Sequence, residues 1–353
     1  MRFGFLFGLL AGTQMLAGCT DLNSPIISYF GIATTAISSN SISIAWNKAS
    51  DGRTTSTALV YKVYISGPNP LYQSFNTIGQ VEAGTLVATL TDAASATIST
   101  GIAAGNFYYI NIVVQDEVGN KNVYDPLGEY FDAGQVAYYP FSGSAVDVVA
   151  ANNLVVANLT PATGTTLTLP FATLDRFGHP ASAYSFAPTA TASQCLQSTT
   201  NIGITGTAAR TVSFWVQSAN TTTPATQRVP FAWGDGSAAG SSFGVYETGI
   251  GNNWTAWLGG ASVGDTGTAV TTSWEHWVIG YDGANVLTYK NGAAVTSSAL
   301  AANTLDGLLY VGCAANPAGT LVNPYLGKID DLRIFNVAPT AINVANLYDK
   351  TRP

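Results

Sequence analysis

The sequence predicts an all-β protein of two sandwiches in tandem, and three observations carry that expectation. Helical periodicity is almost absent. Short runs rich in Val, Ile, Thr, Tyr, Phe and Trp are separated by Gly, Asn, Asp and Ser, the strand-and-turn pattern of sandwiches. The chain has 353 residues, room for about two domains. Only 9% of residues are charged and 47% are hydrophobic, with 13 Lys and Arg against 20 Asp and Glu and a formal net charge of −7. That composition excludes long disorder, which needs low hydrophobicity and high net charge. So few basic residues also leave no stripe to meet a nucleic-acid backbone. Beyond the N-terminus no run approaches the roughly 18 apolar residues of a membrane helix.

The N-terminus reads as an export segment. Arg2 is followed by a mostly apolar stretch from Phe3 to Leu16 and then by small residues, the form of a secretory signal peptide over residues 1–18. Leu16-Ala-Gly-Cys19 resembles a bacterial lipobox, and the resemblance implies cleavage before Cys19 and a diacylglycerol on its sulfur; the alternative is an ordinary signal peptide with a chance cysteine. Several acyl chains hold a protein on a bilayer far better than one. In that family an Asp directly after the cysteine favours the inner membrane. Thr20 stands there, so the expectation is an outer-membrane anchor, with the domains at the cell surface or facing the periplasm. Loss of residues 1–18 leaves 12 basic and 20 acidic side chains, or −8, so lipid and not charge must hold the protein to an anionic membrane. Residues 19–26 then serve as a lipidated linker.

The first sandwich is expected over residues 27–132. Ser41 to Trp46 and Val60 to Ser66 alternate polar and apolar residues as half-buried strands do. Ala94 to Ile102 leads into the strand Asn106 to Gln115, and Asp116 to Asn120 makes a turn into a last strand near Tyr124. These features resemble a fibronectin type III domain, an immunoglobulin-like sandwich. The resemblance implies that Trp46 fills the space between the sheets and that Tyr108 or Tyr109 forms a tyrosine corner. Such a module is most often a spacer.

The second sandwich is expected over residues 135–350. Ala137-Tyr-Tyr-Pro-Phe-Ser-Gly143 with Asp147 supplies an opening strand and turn. Leu174-Asp-Arg-Phe-Gly178 is a loop leading to a strand ending at Phe186. Thr211 to Val216, Trp274 to Gly283 and Gly327 to Phe335 are further strands. Asn291-Gly292 is a hairpin turn, because both positions need φ > 0. A short helix is expected from Pro339 to Tyr348, capped by Thr340, with Ile342, Leu347 and Tyr348 available for packing. In order and spacing these motifs resemble a laminin-G-like, concanavalin A-like jelly roll of two antiparallel sheets. Cys195 and Cys313 both fall in this domain; an even pair in an exported chain is a disulfide candidate, the alternative being two buried thiols.

Catalysis is not expected. Glycoside hydrolysis needs two carboxylates about 5–10 Å apart across the bond. Glu247 and Glu275 are far apart in sequence, and the adjacent Asp330 and Asp331 point to opposite faces of a regular strand. Gly240-Ser-Ser-Phe-Gly244 has the spacing of a nucleophile elbow, but strand-and-turn sequence follows it where the elbow needs a helix. His179 and His276 are the only histidines, and no Cys/His cluster has zinc spacing. The jelly-roll resemblance implies a structural calcium, with Asp147 and Asp330 as matching positions because first and last strands pair in such folds. Val148-Val-Ala-Ala151 departs from the oxygen-rich turn that would complete the site, and pairing of Asp330 with Arg333 or Lys328 is the alternative.

The stretch from Trp233 to Trp257 is the richest candidate binding surface, since sugars stack on exposed aromatics flanked by amides and carboxylates. Trp233, Asp235, Tyr246, Asn252, Asn253, Trp254 and Trp257 are the candidates. Trp254 and Trp257 are three apart, so one faces the core and the other can be exposed. The expected function is non-catalytic binding of a glycan, or of a glycosylated or matrix protein, by a lipid-anchored head. The rivals are a structural envelope protein that contacts another protein subunit and, less favoured, a glycosidase or lyase.

Overall fold

The computed structural model describes residues 23–353 apart from 30, 70–74, 132–133, 249–251 and 260–261. The expected signal peptide, Cys19 and the start of the linker lie outside the described residues. Among those described, no helix is long and apolar enough to cross a membrane.

The first sandwich packs two sheets face to face. One contains the strands Ile32–Ile37, Ile42–Trp46 and Ser95–Ile98. The other runs Thr85–Thr91, Val60–Ile65, Asn106–Gln115 and Lys121–Val123, with Leu127–Phe131 also on the long strand. Alternation explains the pairing of faces: Ile42, Ile44 and Trp46 turn inward to meet Tyr61, Val63, Ile110 and Ile112. Trp46 lies 5.8 Å from the Tyr61 ring. The Tyr108 hydroxyl accepts the Ala103 amide at 3.1 Å, tying down the loop before its own strand. Tyr109 faces the other side of the sheet and packs on Phe107.

The second sandwich is larger. Its seven-stranded sheet runs Leu154–Val156, Leu196–Asn201, Leu308–Val311, Arg228–Gly234, Ser242–Glu247, Asn253–Trp257 and Ser262–Ala269. The facing sheet runs Phe171–Thr173, Ala183–Phe186, Gly327–Phe335, Arg210–Ser218, Glu275–Tyr281, Asn285–Lys290 and Ala293–Ala299. The opening strand Gln135–Tyr139 pairs with the closing strand Gly327–Phe335, as expected. Phe214, Phe231, Trp233, Trp254 and Trp277 fill the space between the sheets. Asn291 (φ 48°) and Gly292 (φ 79°) form the expected hairpin turn. Cys195 and Cys313 form a disulfide with Cα atoms 5.4 Å apart.

The helix Ala341–Thr351 is capped by the Thr340 hydroxyl, which accepts the Asn343 amide at 3.3 Å. Leu347 packs on Phe107 and Tyr130 of the first sandwich, and Tyr348 stacks on Trp215. Ile342, expected to pack, is 67% exposed, because the helix presents its Val344 and Leu347 side to the protein.

The sandwiches share more than a linker. Tyr138 and Val148 of the second belong to the apolar core of the first. The Ile37 amide also donates to the Val148 carbonyl at 2.7 Å.

Candidate functional site

The expected aromatic surface is largely interior. Strand parity sends Trp233 and Trp254 into the core, where they are 0% and 1% exposed, so neither can stack a sugar. Tyr246 faces outward but is covered by Val229, Ala232 and Ala314. Asn252 is buried and its amide donates to the Thr221 carbonyl at 2.9 Å. Trp257, Asn253 and Asp235 are half-buried. Asp235 accepts the Ser237 amide and hydroxyl, bonds that hold its carboxyl below the usual range. Four of the seven, Trp233, Tyr246, Asn252 and Trp254, are thus buried, and half-buried Trp257 packs beside Tyr246 with ring centroids 6.5 Å apart. Ser242 begins a strand, with no helix after it, so the Gly-x-Ser-x-Gly match has no elbow geometry.

The calcium donors do not fit a shared ion. Asp147 spends both oxygens on backbone amides: Oδ1 accepts from Tyr138 and Val149, and Oδ2 from Ala150 and Asn152. Asp330 is closed by the Arg176 guanidinium. Among the described residues no group of three or more His, Cys, Asp or Glu could hold a metal.

A cleft of about 280 Å³ opens where the sandwiches meet. Its floor is a buried chain of charges that sequence reasoning did not assemble. Glu129, on Leu127–Phe131, accepts Arg333 Nη2 at 2.8 Å and also the Thr34 hydroxyl. Arg333 Nε donates to Asp331 Oδ1 at 3.0 Å, and Asp331 Oδ2 accepts Arg176 Nη2 at 3.0 Å. Arg176 Nη1 pairs with Asp330, and its Nε donates to the Thr351 carbonyl at 2.6 Å. The Arg333 guanidinium also lies 3.8 Å from the centre of the Tyr138 ring.

One backbone feature makes this possible. Asp330 pairs with Trp215 and Arg333 with Ser213, so the closing strand carries an extra residue. Asp331 sits in the bulge at φ 54°. The expectation that Asp330 and Asp331 point to opposite faces is therefore corrected: the bulge turns both carboxylates toward one arginine. The expected alternative partners of Asp330, Arg333 and Lys328, are corrected too: Asp330 pairs with Arg176 of the Asp-Arg-Phe-Gly loop, and Arg333 pairs with Asp331 and Glu129.

The electrostatics follow from burial. Desolvation pushes the Asp330 carboxyl up to about 8 against the pull of Arg176. The Glu129 carboxyl is likewise raised by desolvation, with Arg333 opposing. Asp331, held by Arg333 and Arg176, is lowered despite the same burial.

The rim is more open. Tyr29, Asp125 and Tyr109 come from the first sandwich, and Asp175, Phe177 and His179 from the second. His179 bridges the mouth, with Nδ1 3.2 Å from Asp175 and Nε2 3.6 Å from Asp125. Its hydrogen bond to Asp175 raises its pKa despite partial burial. Phe177 is 47% exposed. Chemically the arrangement offers aromatic faces and polar rim groups over a floor whose carboxylates are already paired.

Residues 190–345 match the family model described as the Concanavalin A-like lectin/glucanases superfamily, and the second sandwich has that jelly-roll fold. Among solved structures the chain is similar to domain 4 of AbnA, a GH43 extracellular arabinanase from Geobacillus stearothermophilus, in complex with arabinotriose. Identity is 19% and the TM-score 0.47, covering 61% of this chain and 98% of that one. It is also similar to the Botulinum neurotoxin serotype D ligand binding domain in complex with N-acetylneuraminic acid, at 14% identity and TM-score 0.42, covering 62% of this chain and 51% of that one. The binding domain of Paraclostridial Mosquitocidal Protein 1 is similar at 14% identity and TM-score 0.42, covering 61% and 52%. The chain thus spans about half the length of the two toxin domains. No curated protein matches it.

Proposed function

We propose that this chain is a non-catalytic glycan-binding protein, tethered by acyl chains on Cys19 to the bacterial outer membrane. In this reading the first sandwich is a fibronectin-III-like spacer, supported by the buried Trp46 and the Tyr108 corner. The second is the recognition head, supported by the family match over residues 190–345.

The observation that carries the non-catalytic part is the state of the carboxylates. Glu275 accepts the indole N–H of both Trp254 and Trp277 and pairs with Lys290 at 2.6 Å. Glu247 pairs with Arg228 at 3.2 Å, and Asp330 and Asp331 both close on Arg176. A general acid and a nucleophile facing each other across a scissile bond need carboxylates free to exchange protons with substrate. Here arginine, lysine and indole groups occupy them.

A glycan array on the mature chain, run beside a pull-down from envelope extracts, tests the reading. Saturable retention of one glycan class is expected. Silence on glycans with one stoichiometric protein partner would favour the structural envelope role.

A further inference from the structure

We propose that the cleft between the sandwiches is a composite seat for the uncharged, hydroxyl-rich end of a glycan chain, its walls supplied by both domains. This rests on the glycan-binding reading and adds the place and the charge class of the ligand.

Size comes first. About 280 Å³ lies at the lower end of ligand sites, which suits a terminal unit and not a long chain laid through a groove. Composition comes second. Phe177 on one wall and Tyr29 on the other give apolar faces for a sugar ring. Asp125, His179 and Arg352 stand among the rim groups, their side chains 51%, 35% and 46% exposed.

The floor decides the charge. Arg333 is 1% exposed, lines the cleft, and its Nη1 has no hydrogen-bond partner. A buried guanidinium N–H without an acceptor is costly, and a ligand oxygen would relieve it. The oxygen need not be ionic. Arg176 and Arg333 face Glu129, Asp330 and Asp331, so both guanidiniums are already paired with carboxylates of the chain. A uronic or sialic carboxylate would enter beside three acidic groups with both floor cations already engaged, whereas a hydroxyl would not meet that repulsion.

The test uses calorimetric titration of the full mature chain with neutral trisaccharides (maltotriose, cellotriose and xylotriose) and with trigalacturonic acid. Asp125→Asn changes the rim without touching the buried charges, Phe177→Ala removes a rim ring that also lies 4.6 Å from the Arg176 guanidinium, and Trp257→Ala, outside the cleft lining, is the control. Near-ultraviolet circular dichroism verifies that each variant is folded. The proposal expects a neutral trisaccharide to bind, Phe177→Ala to weaken it about tenfold, Trp257→Ala to leave it unchanged, and the acidic trimer to bind at least about tenfold more weakly. Loss through Trp257→Ala with rim variants unaffected would overturn the seat while leaving glycan binding intact. Preference for the acidic trimer would overturn the charge class. Failure of every trisaccharide also overturns the proposal, and array silence would then remove the underlying reading too.

Discussion

Glu129 of the first sandwich and Arg333 of the second meet at 2.8 Å, with side chains 0% and 1% exposed. An ion pair sealed this completely makes the two domains electrostatically dependent on each other. Removing one partner strands the other's charge in a low dielectric, whereas removing both does not.

Arg333→Met is therefore expected to destabilise the protein by about 3–5 kcal/mol, because Glu129 and Asp331 lose their shared cation. Glu129→Gln costs less, since Arg333 keeps Asp331. The double variant recovers part of the loss. Chemical denaturation of the four proteins checks this; a double variant as unstable as the sum of the singles would contradict it.

His276 gives the pH dependence. Its Nε2 lies 2.8 Å from the Ser213 hydroxyl, its ring stacks on Tyr348, and burial depresses its pKa to about 3. A depressed pKa contributes stability that is complete above the unfolded value near 6.5 and is lost as pH falls toward 3. The expected slope in that window reaches about 1.4 kcal/mol per pH unit from this group. Asp330 acts in the opposite sense. Its raised pKa gives stability that is complete below about 4 and lost as pH rises through about 8. Melting curves across pH should show His276→Gln removing the loss of stability between about pH 6.5 and 3, and Asp330→Asn removing the opposing loss between about pH 4 and 8. An unchanged profile in both variants would contradict the assignment.

Glu275 anchors the core from inside. Glu275→Ala leaves two buried indole N–H groups and Lys290 without their acceptor, at an expected cost of about 3–5 kcal/mol. Glu275→Gln keeps an acceptor oxygen and loses the charge, so it should be milder. Equal unfolding midpoints for the two variants would count against the role.

The disulfide spans 118 residues. Closing so long a loop restricts the unfolded chain strongly, and its loss is expected to cost about 2–5 kcal/mol. Melting the Cys195→Ala/Cys313→Ala protein measures this; a midpoint within one degree of the parent would contradict it.

Much of the fold is legible because it depends on local pattern. Alternation places Trp46, and Asn291-Gly292 marks its hairpin. Parity divides Trp254 from Trp257. The cleft is not legible, for two reasons. The bulge at Asp331 adds one residue to a strand and reverses parity at the place where the carboxylates matter, and Asp331 in Ile-Asp-Asp-Leu gives no local hint of a positive φ. Glu129, Arg176 and Arg333 come from three distant segments, each unremarkable by itself. Only the docking of one sandwich on the other joins them. An Arg inside the Asp-Arg-Phe-Gly loop, followed by an aromatic, was the nearest available hint.

Binding without cleavage is tested by incubating the mature chain with the best glycan from the array, separating bound from free, and analysing both by mass spectrometry. Saturable retention is expected, with every recovered molecule at its starting mass and no new reducing ends. Shortened products, growing with time and enzyme-like in stoichiometry, would contradict it.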